Sequence, residues 1–191
     1  MRRFIISALP LTLVFSLFAV AQTQPPVTIG HIAIVDTPGI SEHELNQIAR
    51  EVEGMPCVTT NAADCIGERV RDQFQQRGYF KTIVREPRLK PRTSAGIVDA
   101  NVVVEPGAKY HVANLEFRFS GQPVLSKDDL APLVTIHAGD LFDTGEVRRT
   151  LENLRKYYVA RGYAKVAVVP QTIVNDEKRE ITLSLTVQPE G

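Results

Sequence analysis

The sequence predicts an α+β protein built as two tandem β-α-α-β-β units, each a three-stranded sheet covered by two helices. Three observations predict it. Residues 151–163 (LENLRKYYVARGY) have a shorter echo at 70–79 (VRDQFQQRGY), 84 residues earlier, and a period of that length marks a repeated folding unit. Each copy is an amphipathic helix that runs into Arg-Gly-Tyr and then into β-patterned segments. The correspondence also extends outward: Ile32 and Ile34 match Leu115 and Phe117 at 83 residues, Ser41 matches Ser126 at 85, and Pro87 matches Pro170 at 83.

The chain opens with a sorting signal. Arg2 and Arg3 precede the mostly apolar residues 4–20, and Ala19-Val20-Ala21 is a small-x-small cleavage site, which together describe a secretory signal peptide. An uncleaved anchor is the alternative, but Ser7, Pro10, Thr12 and Ser16 weaken a segment already short for a bilayer. Losing Arg2 and Arg3 from 22 basic residues leaves 20 against 22 acidic ones, about minus two, which is no footprint for nucleic acid. The expected division is residues 1–21 signal peptide, 22–26 disordered leader, 27–107 first unit and 108–191 second unit.

Residues 27–35 carry a weak strand alternation, closed by Pro38-Gly39. Ser41-Glu42-His43-Glu44 is a capping box, and Leu45, Ile48, Ala49 and Val52 follow at i, i+3, i+4 and i+7, giving one apolar face that Gly54 terminates. Cys57 and Cys65, the only cysteines, flank an irregular stretch. In an exported chain they form a disulfide more readily than a metal site, since no histidine lies beside them and tetrahedral zinc needs four ligands. Ile66, Val70 and Phe74 stripe the second helix, and Gly78 closes it so that Tyr79 folds back towards the core. Residues 80–89 and 97–104 read as strands, the first an edge because Pro87 cannot donate to a ladder.

The second unit repeats the order. Ala113, Leu115, Phe117 and Phe119 alternate with polar residues until Gly121 and Pro123 break the strand. Ser126 to Asp129 (SKDD) opens a helix backed by Leu130, Leu133 and Val134. Val147, Leu151, Leu154 and Tyr158 then share a helix face, Gly162 and Tyr163 repeat the structural roles of Gly78 and Tyr79, and strands follow at 164–174 and 180–187 around Asn175-Asp176.

This order, with Gly-Tyr closing the second helix, a Val-x-Val strand running into Pro-Gly, and Tyr110-x-Val112-x-Asn114-Leu115-x-Phe117 leading to Gly121, resembles the POTRA (polypeptide-transport-associated) domain. Such domains occur in tandem in outer-membrane assembly proteins such as BamA and TamA, so the resemblance implies a periplasmic protein, associated with the outer membrane only indirectly. The Cys57–Cys65 loop is not a hallmark of that family. Family members often continue into a β-barrel; ending at Gly191 is consistent with a stand-alone protein, a barrel on another chain, or truncation.

The expected function is a protein-binding module in outer-membrane protein assembly or export. The resemblance implies strand addition, and each proline-bearing strand offers an edge for it. The candidate client-binding edge is Lys165, Val166, Ala167, Val168 and Val169, with Thr82, Ile83 and Val84 as a weaker one; alternatively the valines pack under the helices and the prolines only block aggregation. A second function is a scaffold docking one folded partner, such as a separately encoded barrel protein. Catalytic, cofactor and metal sites are expected to be absent, and so is a small-molecule substrate: His31, His43, His111 and His137 lie on different elements with no nucleophile or carboxylate pair beside them.

Overall fold

The computed structural model describes residues 26–58, 61–93, 96–120 and 125–190. The expected signal peptide, most of the leader, and the strand-breaking Gly121 and Pro123 lie outside the described residues. The first unit comprises β1 (Val27–Val35), α1 (Glu42–Val52), β2 (Pro56–Cys57), α2 (Ala62–Gln75), β3 (Ile83–Val84), β4 (Arg88–Pro91) and β5 (Ile97–Glu105). The second comprises β6 (His111–Phe119), α3 (Lys127–Leu130), a 3-10 turn (Ala131–Leu133), α4 (Thr144–Val159), β7 (Lys165–Asn175) and β8 (Glu180–Glu190).

Both sheets have the same heart: the first strand pairs in parallel with the last, β1 with β5 and β6 with β8, and the penultimate strand pairs antiparallel on the far side. Alternation explains the layering. Val98, Ala100, Val102 and Val104 of β5 are buried while the residues between them are only half-buried, so the helices cover a single face. Ile48 and Val52 of α1 and Ile66, Val70 and Phe74 of α2 meet it there. In the second unit Leu154 and Tyr158 of α4 meet Ile181, Leu183, Leu185 and Val187 of β8.

Local chemistry accounts for most element ends. Gly54, Gly78 and Gly162 all have positive φ, the left-handed geometry that lets each chain leave its helix. Ser126 and Asp129 form a full capping box. At Ser41 only half of the box forms: its hydroxyl accepts from the Glu44 amide, while the Glu44 carboxylate lies 3.7 Å from Lys109 Nζ.

The structure adds three features to the sequence reading. The irregular stretch after Gly54 contains β2, which pairs antiparallel with β1, and the Cys57–Cys65 disulfide ties that strand to α2. Pro87 splits the expected strand 80–89 into β3 and β4, which together with β2 makes the first sheet five-stranded. The helix opened by Ser126 is only four residues long, because Pro132 cannot supply an interior helical N–H and the chain tightens into a 3-10 turn.

The two units meet through the first Arg-Gly-Tyr. The Gly78 carbonyl accepts from the Tyr110 amide at 2.9 Å, and Phe80 packs against the second core, edge-to-face with Tyr110 and Phe142 at 6.2 and 5.1 Å. Lys81 Nζ and the Tyr110 hydroxyl both donate to Asp176 Oδ1 at 2.6 Å.

Candidate client-binding edge

Backbone polarity decides what an edge strand can offer. Within a strand each residue points its N–H and C=O to one side, and successive residues alternate. In β8 the Val187 carbonyl accepts from Ser120 on the β6 side, as the Arg179 carbonyl just before the strand accepts from His111. Odd-numbered β8 residues therefore face β6 and even-numbered ones face β7. The register pairs Gln188 with Ala167, Thr186 with Val169 and Ser184 with Gln171, so these β7 residues spend their amides and carbonyls on β8.

Val166, Val168, Thr172 and Val174 consequently direct both groups to the unpaired side, and Pro170 falls where its missing N–H costs the ladder nothing. Of the five residues expected to form this edge, Val166 and Val168 supply free backbone. Ala167 and Val169 do not, and Lys165 has their parity. The sequence reading misses Thr172 and Val174; counting in twos from Pro170 finds them.

Side chains add a groove. Val166 and Val168 are half-buried against the second core, facing α4, and with Leu151 and Arg155 they line a groove of about 350 Å³ between helix and strand. Arg148 and Glu152 stand on its rim. Arg148 also reaches Asp72 of the first unit at 3.8 Å, which ties the groove wall to the junction. The opposite edge, β6, is partly covered: the Val112 amide donates to Asp140, and its carbonyl accepts from Gly139, both at 2.8 Å.

The weaker candidate in the first unit is poorer still. Thr82 precedes the strand and is buried, its hydroxyl 2.7 and 3.2 Å from the Tyr79 and Pro106 carbonyls, so it holds the turn together. The Arg85 amide donates to Val103 on β5, which by alternation turns Ile83 inward as well and leaves Val84 as the one outward residue of β3.

Elsewhere ionisable groups engage one another in ion pairs, among them Arg92 with Asp99 at 2.8 Å. His31 Nδ1 lies 2.8 Å from Glu53, and His137 Nδ1 lies 3.6 Å from Asp140. Among the described residues no three His, Cys, Asp or Glu side chains converge as a metal site would require. The hydrogen bonds from Lys81 and Tyr110 hold the Asp176 carboxyl below its ordinary range.

Residues 110–190 match the family described as POTRA, surface antigen variable number repeat. The second unit is a POTRA domain. The fold of the described residues is that of tandem POTRA domains: they superimpose on POTRA domains 3–5 of Haemophilus influenzae BamA with a TM-score of 0.63 at 14% identity, over 87% of this chain and 68% of that one. Haemophilus ducreyi BamA lacking POTRA domains 1–3 gives a TM-score of 0.57 at 18% identity, over 85% of this chain and 29% of that one. The chain thus spans less than a third of the second structure. No curated protein matches it in sequence.

Proposed function

We propose that this chain is an exported, periplasmic protein-binding module in outer-membrane protein assembly or export, and that it takes extended clients by strand addition along β7. One observation carries the reading: β7 is an edge whose Val166, Val168, Thr172 and Val174 backbone groups face away from β8, beside an apolar groove under α4. A client strand laid along it gains main-chain hydrogen bonds, and its inward side chains reach Leu151, Val166 and Val168. The role is binding rather than catalysis.

Val168→Pro tests this. The substitution removes an N–H that β8 does not use, so circular dichroism and the unfolding midpoint should stay near wild type. Affinity for a fluorescent, alternating apolar-polar barrel-strand peptide should fall at least about tenfold, the equivalent of roughly 1.4 kcal/mol for a lost main-chain donor and its steric clash. A folded Val168→Pro variant that binds the peptide as wild type does would overturn the edge assignment.

A further inference from the structure

The repeat exposes a second surface, at the far end of the second unit, where the same slots are filled twice with opposite chemistry. In the first unit the helix end carries Asp72, Gln75 and Gln76, followed by Arg-Gly-Tyr-Phe-Lys at 77–81, and the second unit covers it. Eighty-four residues later the slots hold Lys156, Val159 and Ala160, followed by Arg-Gly-Tyr-Ala-Lys at 161–165. There Val159 is 46% exposed, and the space beside Gly162 is open where Leu141 crowds Gly78 to 3.1 Å. Solvent exposure should favour polar residues, yet the exposed copy is the more apolar and the more basic one.

The changes also say what covers it. A folded module docks on the first copy with an aromatic anchor and charge pairs of both senses: Phe80 enters the second core, Lys81 meets Asp176, and Asp72 meets Arg148. In the second copy the anchor has become Ala164 and the acid has become Lys156. What remains is cationic. Arg155 and Lys156 flank Val159 and Ala160 around a shallow apolar hollow of about 440 Å³, with Glu152 at one end. Arg161 stacks on the Tyr157 ring at 3.3 Å, and the carboxylate beside it, Asp129, is taken up by Ser126. Among the described residues none of Arg155, Lys156 or Arg161 has an ion-pair partner, and no acidic residue occurs from 153 to 175. Predominantly positive charge around an exposed valine and a tyrosine suits a delocalised anionic surface with an apolar interior.

We infer that the α4 C-terminal end, through Arg155, Lys156, Val159 and Arg161, binds the surface of a membrane containing anionic phospholipid. No helix among the described residues is long and apolar enough to cross a membrane, so the contact is interfacial. This replaces the expected indirect association with a direct one. It adjoins the client groove through Arg155 and Glu152, which line both, whereas Lys156, Val159 and Arg161 line only this surface.

Flotation of residues 22–191 with phosphatidylcholine vesicles, with and without phosphatidylglycerol, tests it. Wild type should float only with the anionic vesicles and should be released by salt. Each lost cation should lower partitioning about fivefold, so Lys156→Gln with Arg161→Gln should lower it roughly 25-fold. Val159→Ser should bind more weakly while keeping the salt dependence, and Val168→Pro should float as wild type, which separates this surface from the client edge. Equal flotation with neutral vesicles, or a folded Lys156→Gln/Arg161→Gln variant that floats as wild type, would overturn the inference. So would loss of binding to a folded barrel protein in that variant with vesicle binding intact.

Discussion

Phe80 belongs by sequence to the first unit and by packing to the second, so replacing it with alanine should separate two stabilities that the chain otherwise couples. Its ring makes edge-to-face contacts with Tyr110 and Phe142 and lies against the second core. Two such pairs contribute about 1–3 kcal/mol beyond simple burial. A buried Phe→Ala change costs about 3–5 kcal/mol, and Phe80 is only half-buried, so about 2–3 kcal/mol is the working figure. The competing device is the polar cluster of Lys81, Asp176 and Tyr110. Its Lys81 and Asp176 side chains are 48% and 63% exposed, and exposed pairs contribute about 0–1 kcal/mol. The apolar clasp should therefore dominate the junction. Hydrogen exchange reads the two units separately: Phe80→Ala should lower protection at Ile181, Leu183 and Leu185 while leaving Ala100 and Val102 near wild type. Lys81→Ala should change neither set by more than a few-fold. If Lys81→Ala loosens the second unit more than Phe80→Ala does, or if Phe80→Ala lowers protection in the first unit alone, the clasp is misassigned.

Tyr158 is fully buried and its hydroxyl meets no hydrogen-bond partner among the described residues, so Tyr158→Phe should raise stability by about 1 kcal/mol in urea unfolding, the desolvation cost of an unsatisfied hydroxyl. Replacing Cys57 and Cys65 by serine should lower the stability of the first unit by about 2.6 kcal/mol in the loop-closure estimate, with the second unit's exchange pattern unchanged. Asp176 has a depressed folded-state pKa, so its contribution is present above the unfolded carboxylate pKa of about 3.9 and is lost as pH falls through the lower folded value. Acidification through that window should loosen wild type at the junction, as read by exchange at the Tyr110 amide, and Asp176→Asn should flatten the response.

Much of this architecture was legible because two copies were present. A single Arg-Gly-Tyr says little; two at a spacing of 84, with apolar stripes upstream and alternating valines downstream, fix the order of elements. The additions were invisible for identifiable reasons. Strand β2 is two residues long and includes a proline, too short for any periodicity. The bulge between Ile29 and Ile32 puts two residues that an unbroken alternation would separate onto the same buried side. The groove depends on which way β8 faces its neighbours, a fact of pairing and not of composition. The edge itself was readable from Pro170, but which of its valines offer free backbone required the register.

The two prolines show why a shared fold need not mean a shared role. Pro87 and Pro170 occupy the same slot 83 residues apart, yet Pro87 is buried against Gly67 of α2 while Pro170 is exposed on a continuous strand. Packing Pro87 inward breaks its edge into β3 and β4. The alternation set by the Arg85 and Arg92 amides, which donate to Val103 and Ile97, then leaves Val84 on one side of the break and Leu89 on the other as outward donors, with Pro91 offering none. A client could not form a continuous ladder there, and Arg88 and Lys90 add the charge that discourages pairing. On β7 the same residue type costs one donor in a run that still presents Val166, Val168, Thr172 and Val174. Grafting the second arrangement onto the first, by the substitution Pro87→Val, should therefore not create a binding edge. The new side chain would still be held against α2, and peptide affinity should remain that of the β7 site alone, with Val168→Pro lowering it in the double variant as far as it does in the single one. Tighter peptide binding by that double variant than by Val168→Pro alone would show that the proline, and not its packing, keeps the first edge closed.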